Sequence, residues 1–281
     1  MENIGFCKIK DSSSPLEYYI FDHLSRYREL RHAVFTRLGG VSSPPFDSLN
    51  TGMATGDDPG SVMRNREIVE SQITGSGMEG YFLYLNQVHG REFVVLKKDD
   101  YKSTSEMERF CAGSHEADGI ITDVENIFAV IQVADCQAVI LYDPLRRVVA
   151  GIHSGWRGSL LNIIGAGVDI MAGEFGSEPG NIIAAISPSL GPCCAQFVNY
   201  KDEIPRHLWK YRMDGASHNE ENNFDFWFMS RDQLMEKGVL PHNIEIAGIC
   251  TPCRVDRFYS YRNEGVTGRF AVVAGVVSEG I

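Results

Sequence analysis

The chain has 281 residues, enough for one large domain or two small ones, and its 43% hydrophobic content supports a substantial core without disulfides. Its net charge of −11 disfavours non-specific binding to nucleic acid or anionic membranes, since both are themselves negatively charged. No window approaches the ~20 consecutive apolar residues of a membrane helix, and the first residues lack a signal-peptide pattern. We therefore expect a cytoplasmic protein without nucleic-acid or membrane partners, either a monomer or a weak homo-oligomer.

The first third of the chain predicts one helix and one strand between polar loops. Residues 57–73 place Val62, Arg66, Val69 and Ile73 at helical spacing after a Pro and a Ser. "YFLYLNQVHG" indicates a strand of about five residues that ends in a polar turn containing His89. The runs at 42–48, 97–117 and 213–223 favour loops.

The middle and last thirds predict a strand-rich core. Continuous apolar runs at 119–123, 127–136, 137–144 and 146–153 are typical of strands buried on both faces. A helix follows over 159–176, then a strand at 181–186, a short helix within 224–238, and late strands at 244–249 and 269–277. Many strands and few helices indicate an α/β (α+β) fold, a single domain of layered mixed β-sheets flanked by helices.

Three potential metal ligands stand at the polar ends of apolar runs: His89 after "LNQV", Cys136 after "QVAD" and His153 after "VVAGI". Ligand sites gather where strand ends converge, so the three can meet in space. Two imidazoles and one thiolate leave one tetrahedral position open, as in catalytic zinc sites. Copper would accept the same ligands, and each residue taken singly is more often a packed core residue.

Polar neighbours could orient these ligands. Gln87 precedes the first histidine by two positions, Asp135 precedes the cysteine, and Ser154 follows the second histidine. Each side chain is able to hydrogen-bond a ligand from outside the metal's own coordination shell.

Two arginines and an asparagine are candidate anion or sugar contacts. Arg157 lies in a glycine-bracketed turn, and its planar fork suits phosphate or carboxylate, although stacking on Trp156 is an alternative. Arg37 and Asn50 lie in "FTRLGGVSSPPFDSLNTG" and could bind a phosphate or a sugar hydroxyl. A glycine-rich hairpin turn is the commoner meaning of such a stretch.

The seven cysteines favour thiols or metal ligands over a disulfide framework, because their number is odd and no export signal accompanies them. Cys193 and Cys194 are adjacent and could form a minor site. Cys250 and Cys253 have redox spacing but stand alone, so we interpret them as a structural pair of buried thiols.

Seven ordered motifs resemble one family. "FTRLGGVS…SLN", "NQVHG", "ADGIIT", "VADCQAVILYDP", "GIHSGWRG", "ISPSLGPCC" and "FYSYRNEGVTGR" are similar to those of the bacterial laccase-domain family. That family is also called multicopper polyphenol oxidoreductase and purine nucleoside phosphorylase of the YfiH type. The resemblance implies a single domain over residues 32–281, preceded by an N-terminal extension over 1–31.

The resemblance also implies a zinc site and two activities. The zinc ligands correspond to His89, Cys136 and His153, all intact here. The implied reactions are phosphorolysis of adenosine, inosine, guanosine and methylthioadenosine, and deamination of adenosine to inosine. The partners would be purine nucleosides and phosphate.

The family motifs make Arg37, Asn50 and Arg157 expected substrate or phosphate contacts. The sequence departs from the family pattern at Ser154, at Ser187 and in "CCAQF", where Tyr and Glu are commoner than Ala195 and Gln196. These last changes could alter the rim of the pocket. They leave the three metal ligands untouched.

Both reactions need proton transfer, for which Asp135 and Asp118 are candidates by position. Three other functions stay open at this stage. They are copper-dependent oxidation of polyphenols, a hydrolase with Cys136 as nucleophile that edits serine-containing peptidoglycan precursors, and a metal-binding module without enzymatic activity.

Overall fold

The computed structural model describes residues 6–10, 15–75, 77–100, 104–213 and 222–278. Its strands are β1 (Phe6–Lys10), β2 (Glu17–Phe21), β3 (Leu30–Phe35), β4 (Tyr81–Tyr84), β5 (Phe93–Leu96), β6 (Gly119–Thr122), β7 (Ile127–Val133), β8 (Gln137–Asp143), β9 (Val148–Ser154), β10 (Ile183–Ile186), β11 (Ile244–Ile246) and β12 (Phe270–Val276). Its α-helices are α1 (Pro59–Thr74), α2 (Thr104–Cys111), α3 (Trp156–Leu160), α4 (Ile163–Phe175), α5 (Tyr200–Glu203), α6 (Phe226–Glu236) and α7 (Tyr261–Glu264).

The strands of the described residues form two six-stranded sheets. The first sheet has the order β1-β2-β3-β12-β7-β4, and the second has the order β11-β10-β8-β9-β6-β5. Most neighbours are antiparallel, but β4 with β7, β5 with β6 and β10 with β11 are parallel. This arrangement confirms the predicted single domain of layered mixed sheets.

The main core lies between the two sheets, as strand alternation requires. Along β8, Ile140 and Tyr142 face the first sheet, whereas Val139 and Leu141 face the helices on the other side. Both sets are fully buried, so β8 has the continuous apolar sequence of a strand covered on both faces.

Helices close the outer faces of the two sheets. Helix α1 packs Val69 and Ile73 on the first sheet, and α4 packs Val168 and Met171 on the second, together with Leu234 of α6. Helix α1 contains the predicted series and begins at Pro59, where the side chain of the preceding residue, Asp58, caps the helix by accepting a hydrogen bond from the Ser61 amide.

Two sequence predictions need correction. The helix predicted over 159–176 is two helices, because Asn162 adopts a left-handed φ of 54° and its side chain caps α4 at the Gly165 amide. The loop predicted over 97–117 contains α2, whose Met107 and Phe110 pack against a small buried cluster. The loop predicted over 213–223 falls mostly outside the described residues.

Residues before position 32 contribute to the same fold. Strand β1 pairs with β2, and β2 pairs with β3, so both extend the first sheet at its edge. The boundary between residues 31 and 32 stays a prediction. Among the described residues, no helix combines the length and the apolar character needed to span a bilayer.

Buried His32 should make the stability of the fold pH-dependent. Its Nε2 accepts a hydrogen bond from the Phe21 amide at 2.9 Å, and burial lowers its pKa from 6.5 to about 4. The neutral imidazole is favoured in the folded state, so stability is complete above pH 6.5 and falls as the pH drops from 6.5 to 4. We expect a loss of about 3 kcal/mol across this window.

Urea unfolding at pH 7 and pH 4.5 measures this effect. In His32→Gln, whose amide oxygen also accepts a hydrogen bond, the difference between the two pH values should shrink by most of that amount. An unchanged difference would show that other groups cause the pH dependence.

Candidate functional site

The three predicted ligand residues lie close together, next to the ends of strands from both sheets. His89 lies in the loop after β4, Cys136 in the turn between β7 and β8, and His153 near the end of β9. The donor atoms of the three side chains all lie within 4.8 Å of one another. The structure therefore brings together residues that are 47 and 17 positions apart in the sequence.

The backbone explains why these side chains converge. On β9, His153 lies four positions after Val149, so the two side chains point to the same face of the strand. This face borders the space between the two sheets. The turn 134–136 passes from the first sheet to the second, and Asp135 in it has a φ of 84°. His89 also has a left-handed φ, of 60°. Such conformations cost non-glycine residues on the order of 1 kcal/mol and cluster at functional sites.

Asp118, immediately before β6, holds both histidines in place. Its Oδ1 accepts hydrogen bonds from His153 Nδ1 at 2.7 Å and from the His89 amide at 2.9 Å, and its Oδ2 accepts one from the Gly90 amide. Because Nδ1 of His153 is engaged by Asp118, Nε2 is the atom left for a metal. Burial raises the pKa of the Asp118 carboxyl, but these hydrogen bonds outweigh it and the pKa is lowered.

The electrostatics of the trio favour a thiolate. Burial raises the pKa of Cys136, but the charge of His153 and hydrogen bonds from both histidines outweigh it and lower the pKa to about 6. Conversely, burial lowers the pKa of His153, while the Cys136 thiolate and Asp118 raise it to about 9. The thiolate is the form of cysteine that binds metals and acts as a nucleophile.

The residues present fit a metal ion. Two imidazoles and a thiolate suit zinc and leave a fourth position for substrate or water. Gly155 keeps the space between them open, because a Cβ there would come within 2.9 Å of His89 Cδ2 and 3.1 Å of Cys136 Sγ. The donor set alone also accepts copper.

Replacing Gly155 with alanine should therefore lower metal occupancy. The backbone at Gly155 has an ordinary φ of −71°, so the methyl group acts on the ligands by contact alone. We expect at least about a tenfold weaker metal affinity in a folded protein, measured by competition with a chromophoric chelator. Gly173→Ala is the matched control, because a Cβ at Gly173 meets nothing within 4 Å. Equal affinities in the two variants would contradict the crowding argument.

Two of the cavities in the described part of the chain are lined by residues of the trio. The smaller has a volume of about 440 Å³ and the larger about 570 Å³. His89, Cys136 and Tyr261 line both of them. Each volume is in the range of small-molecule sites, so each cavity could hold a reactant next to His89 and Cys136.

The larger cavity combines aromatic rings with arginines. Trp156, Phe197 and Phe226 form its apolar wall, and Trp156 contacts Phe197 edge-on at 5.8 Å between ring centroids. Arg157 and Arg262 also line it. Arg157 lies over the Trp156 ring, so the stacking alternative for this residue coexists with a place on the cavity wall.

The smaller cavity is more polar. Arg269 lines it together with Thr55, Asn86 and Gln132. Among the described residues, no carboxylate lies within ion-pair distance of Arg157, Arg262 or Arg269. The site residues predicted from the sequence do not include Arg262 and Arg269, although both lie in the motif "FYSYRNEGVTGR".

Arg37 and Asn50 lie behind the cavity walls and do not line either cavity. Arg37 forms an ion pair with Glu264 at 2.8 Å, and Glu264 also accepts hydrogen bonds from the Ser260 amide and Thr267. Asn50 Oδ1 accepts a hydrogen bond from the Arg269 amide. Both side chains thus anchor the segment that carries Tyr261, Arg262 and Arg269.

The polar residues next to the ligands in the sequence form their hydrogen bonds with other groups and not with the predicted ligand side chains. Gln87 bonds the backbone of Gln132, and Ser154 bonds Ser159, so Asp118 takes the orienting role predicted for them. Asp135 lines the larger cavity, and its two carboxylate oxygens accept hydrogen bonds from Thr251 Oγ1 and the Arg262 amide.

The sequence profile described as multi-copper polyphenol oxidoreductase laccase matches residues 31–277. The chain belongs to this laccase-domain family, as the sequence motifs predicted. A relative is the purine nucleoside phosphorylase YlmD of Bacillus subtilis, 30% identical over 86% of each chain. Another is the purine nucleoside phosphorylase YfiH of Escherichia coli, 29% identical over 84% of this chain and 89% of that one.

Two solved structures share the fold of this chain. YlmD of Geobacillus stearothermophilus has a TM-score of 0.80 and 25% identity, over 98% of this chain and 100% of that chain. The hypothetical protein YfiH of Bacillus licheniformis has a TM-score of 0.79 and 27% identity, over 95% and 98%.

Ala195 and Gln196, where the motifs predict a departure from the family pattern, lie beside the larger cavity. Ala195 is fully buried in the aromatic cluster that contains Phe197 and Phe226. The Gln196 carbonyl accepts a hydrogen bond from the guanidinium of Arg262. This segment therefore supports the arginine and the rings of the cavity wall through its backbone and packing.

Proposed function

We propose that this protein is a zinc-dependent purine nucleoside phosphorylase that also deaminates adenosine. Its substrates would be adenosine, inosine, guanosine and methylthioadenosine, which phosphate converts to the free base and a ribose 1-phosphate. One observation carries the proposal: two cavities, one walled by aromatic rings and both bearing arginine, share His89 and Cys136 of the trio as lining residues. The names of the relatives support the phosphorylase part of this proposal.

The three ligands would hold the zinc ion, which supplies Lewis acidity when bound and polarises a substrate atom. Asp118 fixes the ring of His153 and the loop of His89, so the ligands need no rearrangement before binding. The lowered pKa of Cys136 provides the thiolate at neutral pH.

The nucleoside base fits the larger cavity in this proposal. Trp156 and Phe197 offer ring surfaces to a purine, and Arg157 at the same wall is a substrate contact. The phosphate fits the smaller cavity, where the Arg269 guanidinium would pair with its oxygens. The sugar then lies between them, next to His89 and Cys136.

In phosphorolysis, a phosphate oxygen forms a bond to the anomeric carbon of the ribose as the bond from that carbon to the base nitrogen breaks. The bonding electron pair leaves with the base, which takes up a proton. Arg269 aligns the phosphate for this displacement. We propose Asp135 as the proton carrier for the base and for deamination, because it borders the larger cavity and adjoins Cys136.

Replacing Arg269 with glutamine should raise KM for phosphate about tenfold, because a charge-assisted hydrogen bond to phosphate is lost. KM for inosine should change much less in the same variant. Arg157→Gln is the comparison, since this arginine lines only the larger cavity, and it should raise KM for the nucleoside instead. Steady-state kinetics with each substrate varied in turn measure both effects. Equal effects of the two variants on both KM values would contradict the assignment of the cavities.

The proposed function is tested with adenosine and metal-analysed protein, with and without phosphate. Ribose 1-phosphate and adenine should form only with phosphate, and inosine should form without it. Absence of both products would refute the proposal, and inosine alone would reduce it to a deaminase.

A second candidate function is a cysteine hydrolase acting on serine-containing peptidoglycan precursors. The observation that favours it is the Cys136 thiolate paired with the His153 imidazolium, the arrangement of an activated cysteine nucleophile. In that case a thiol alkylator should abolish cleavage of such a precursor by metal-free protein. Under the zinc proposal, metal-free protein should not cleave it at all.

Copper-dependent oxidation of polyphenols has weaker support. A cluster of several coppers draws on many imidazoles, whereas the two ligand groups within the described residues contain only two histidines. Metal analysis of wild type and His89→Asn, both purified from cells grown with zinc and copper, distinguishes the two metals, because the metal lost in the variant is the one held at the His89 site.

A further inference from the structure

Four cysteines outside the site described above converge at one edge of the second sheet. Cys193 and Cys194 lie in the turn that follows β10, and Cys250 and Cys253 lie in the segment that follows β11. Because β10 and β11 are neighbouring parallel strands, their carboxyl ends lead into the same region. The four sulfur atoms all lie within 4.8 Å of one another.

The spacing of the sulfur atoms matches that around a tetrahedral metal ion. A zinc–sulfur distance of about 2.3 Å places the corners of a tetrahedron about 3.8 Å apart. Cys253 Sγ lies 3.7 Å from Cys193 Sγ and 3.5 Å from Cys194 Sγ. A disulfide would need about 2.05 Å, and all four of these cysteines are free thiols in the structure.

The local backbone also suits bound thiolates. Cys250 and Cys253 have the C-x-x-C spacing that occurs in structural zinc sites. The Gly191 amide points at Cys250 Sγ with a nitrogen–sulfur distance of 3.4 Å, so a backbone donor is available to a sulfur that carries negative charge.

We propose that Cys193, Cys194, Cys250 and Cys253 bind a second metal ion, a zinc ion with a structural role. Four thiolates fill a tetrahedral site and leave no position for substrate. The ion would link the segment after β10 to the segment after β11. These segments are distant in the sequence, since Cys194 and Cys250 are 56 residues apart.

A metal ion that links these two segments would also stabilise the walls of the larger cavity. Leu190 donates its amide to the Asp135 carbonyl, and Thr251 donates its hydroxyl to the Asp135 carboxylate. Both residues adjoin the cysteine segments, and Leu190 lines the cavity itself. A metal at the four cysteines would therefore hold the two segments that fix Asp135, without touching substrate.

Metal stoichiometry tests this proposal without an activity assay. Elemental mass spectrometry gives the number of zinc ions per chain in wild type and in variants, all purified from cells supplemented with zinc. We expect two zinc ions in wild type, one in Cys253→Ser, one in His89→Asn, and none in the double variant. Cys111→Ser is the matched control and should keep two, because Cys111 belongs to neither group. The exposed Cys193 provides a second variant, Cys193→Ser, in case Cys253→Ser does not fold.

Cobalt substitution in His89→Asn identifies the ligands. Cobalt at four thiolates gives intense thiolate charge-transfer absorption, which should disappear in His89→Asn with Cys253→Ser. The proposal is overturned if both cysteine variants retain the wild-type zinc content, if iron takes the place of zinc, or if thiol titration of unfolded protein shows a disulfide among the four. Because the readout is metal content, failure of the phosphorylase proposal would leave this result unaffected, and the reverse also holds.

Discussion

Replacing His89 with asparagine should reduce kcat/KM for phosphorolysis by at least about a hundredfold, since the Lewis acidity of a metal is worth several kcal/mol. Asparagine removes one of the three ligands, because its amide is a poor zinc ligand compared with an imidazole. It also tolerates the left-handed φ of 60° at this position better than alanine. The side chain of His89 is exposed, so the fold should survive the change.

Kinetics and metal content measured on the same preparations check this expectation. His242→Asn, an exposed histidine distant from the trio in sequence, should keep the wild-type values. If the His89→Asn variant has lost its metal at the trio and still has the kcat/KM of wild type, the trio has no part in the reaction.

Replacing Asp118 with asparagine should weaken metal binding by about 10- to 100-fold and also destabilise the fold. Asp118 is completely buried and its carboxylate accepts bonds from the His153 ring and from the His89 and Gly90 amides. The side-chain NH2 group of asparagine would lie against one of these N–H donors, and two donors form no hydrogen bond with each other. We expect the free energy of unfolding to fall by about 3 kcal/mol.

Two measurements separate these effects. Chelator competition on folded protein gives the metal affinity, and urea unfolding gives the stability. Asp123→Asn, a half-buried aspartate that bonds the Lys98 amide, is the comparison. If Asp118 served only the fold, the metal affinity of folded Asp118→Asn would equal that of wild type.

Much of the fold could be predicted because its central strands are buried on both faces. Strands such as β7, β8 and β9 are continuous apolar runs bounded by polar residues, and such runs leave little ambiguity. The helix break at Asn162 escaped prediction, because it depends on one side chain capping the next helix. Helix α2 escaped because its sequence is mostly polar, and only a few residues such as Phe110 pack inward.

The convergence of His89, Cys136 and His153 could be predicted because each of these residues ends an apolar run. The cationic walls could not, since Arg262 and Arg269 reach the cavities only through the fold of a late segment. Arg37 and Asn50 are in the right part of the molecule but act on that segment from behind, through Glu264 and the Arg269 amide. The four-cysteine group depends on the parallel pairing of β10 and β11, which no local pattern reveals.

Oxygen-labelled phosphate provides the most direct test of the proposed reaction. Zinc-loaded protein is given inosine and phosphate that carries ¹⁸O at all four positions, and the products are followed by ³¹P NMR and mass spectrometry. Attack of a phosphate oxygen on the anomeric carbon predicts ribose 1-phosphate with all four labels, formed in equal amount to hypoxanthine. Release of hypoxanthine with free ribose and unchanged phosphate would contradict phosphorolysis and show a hydrolase instead.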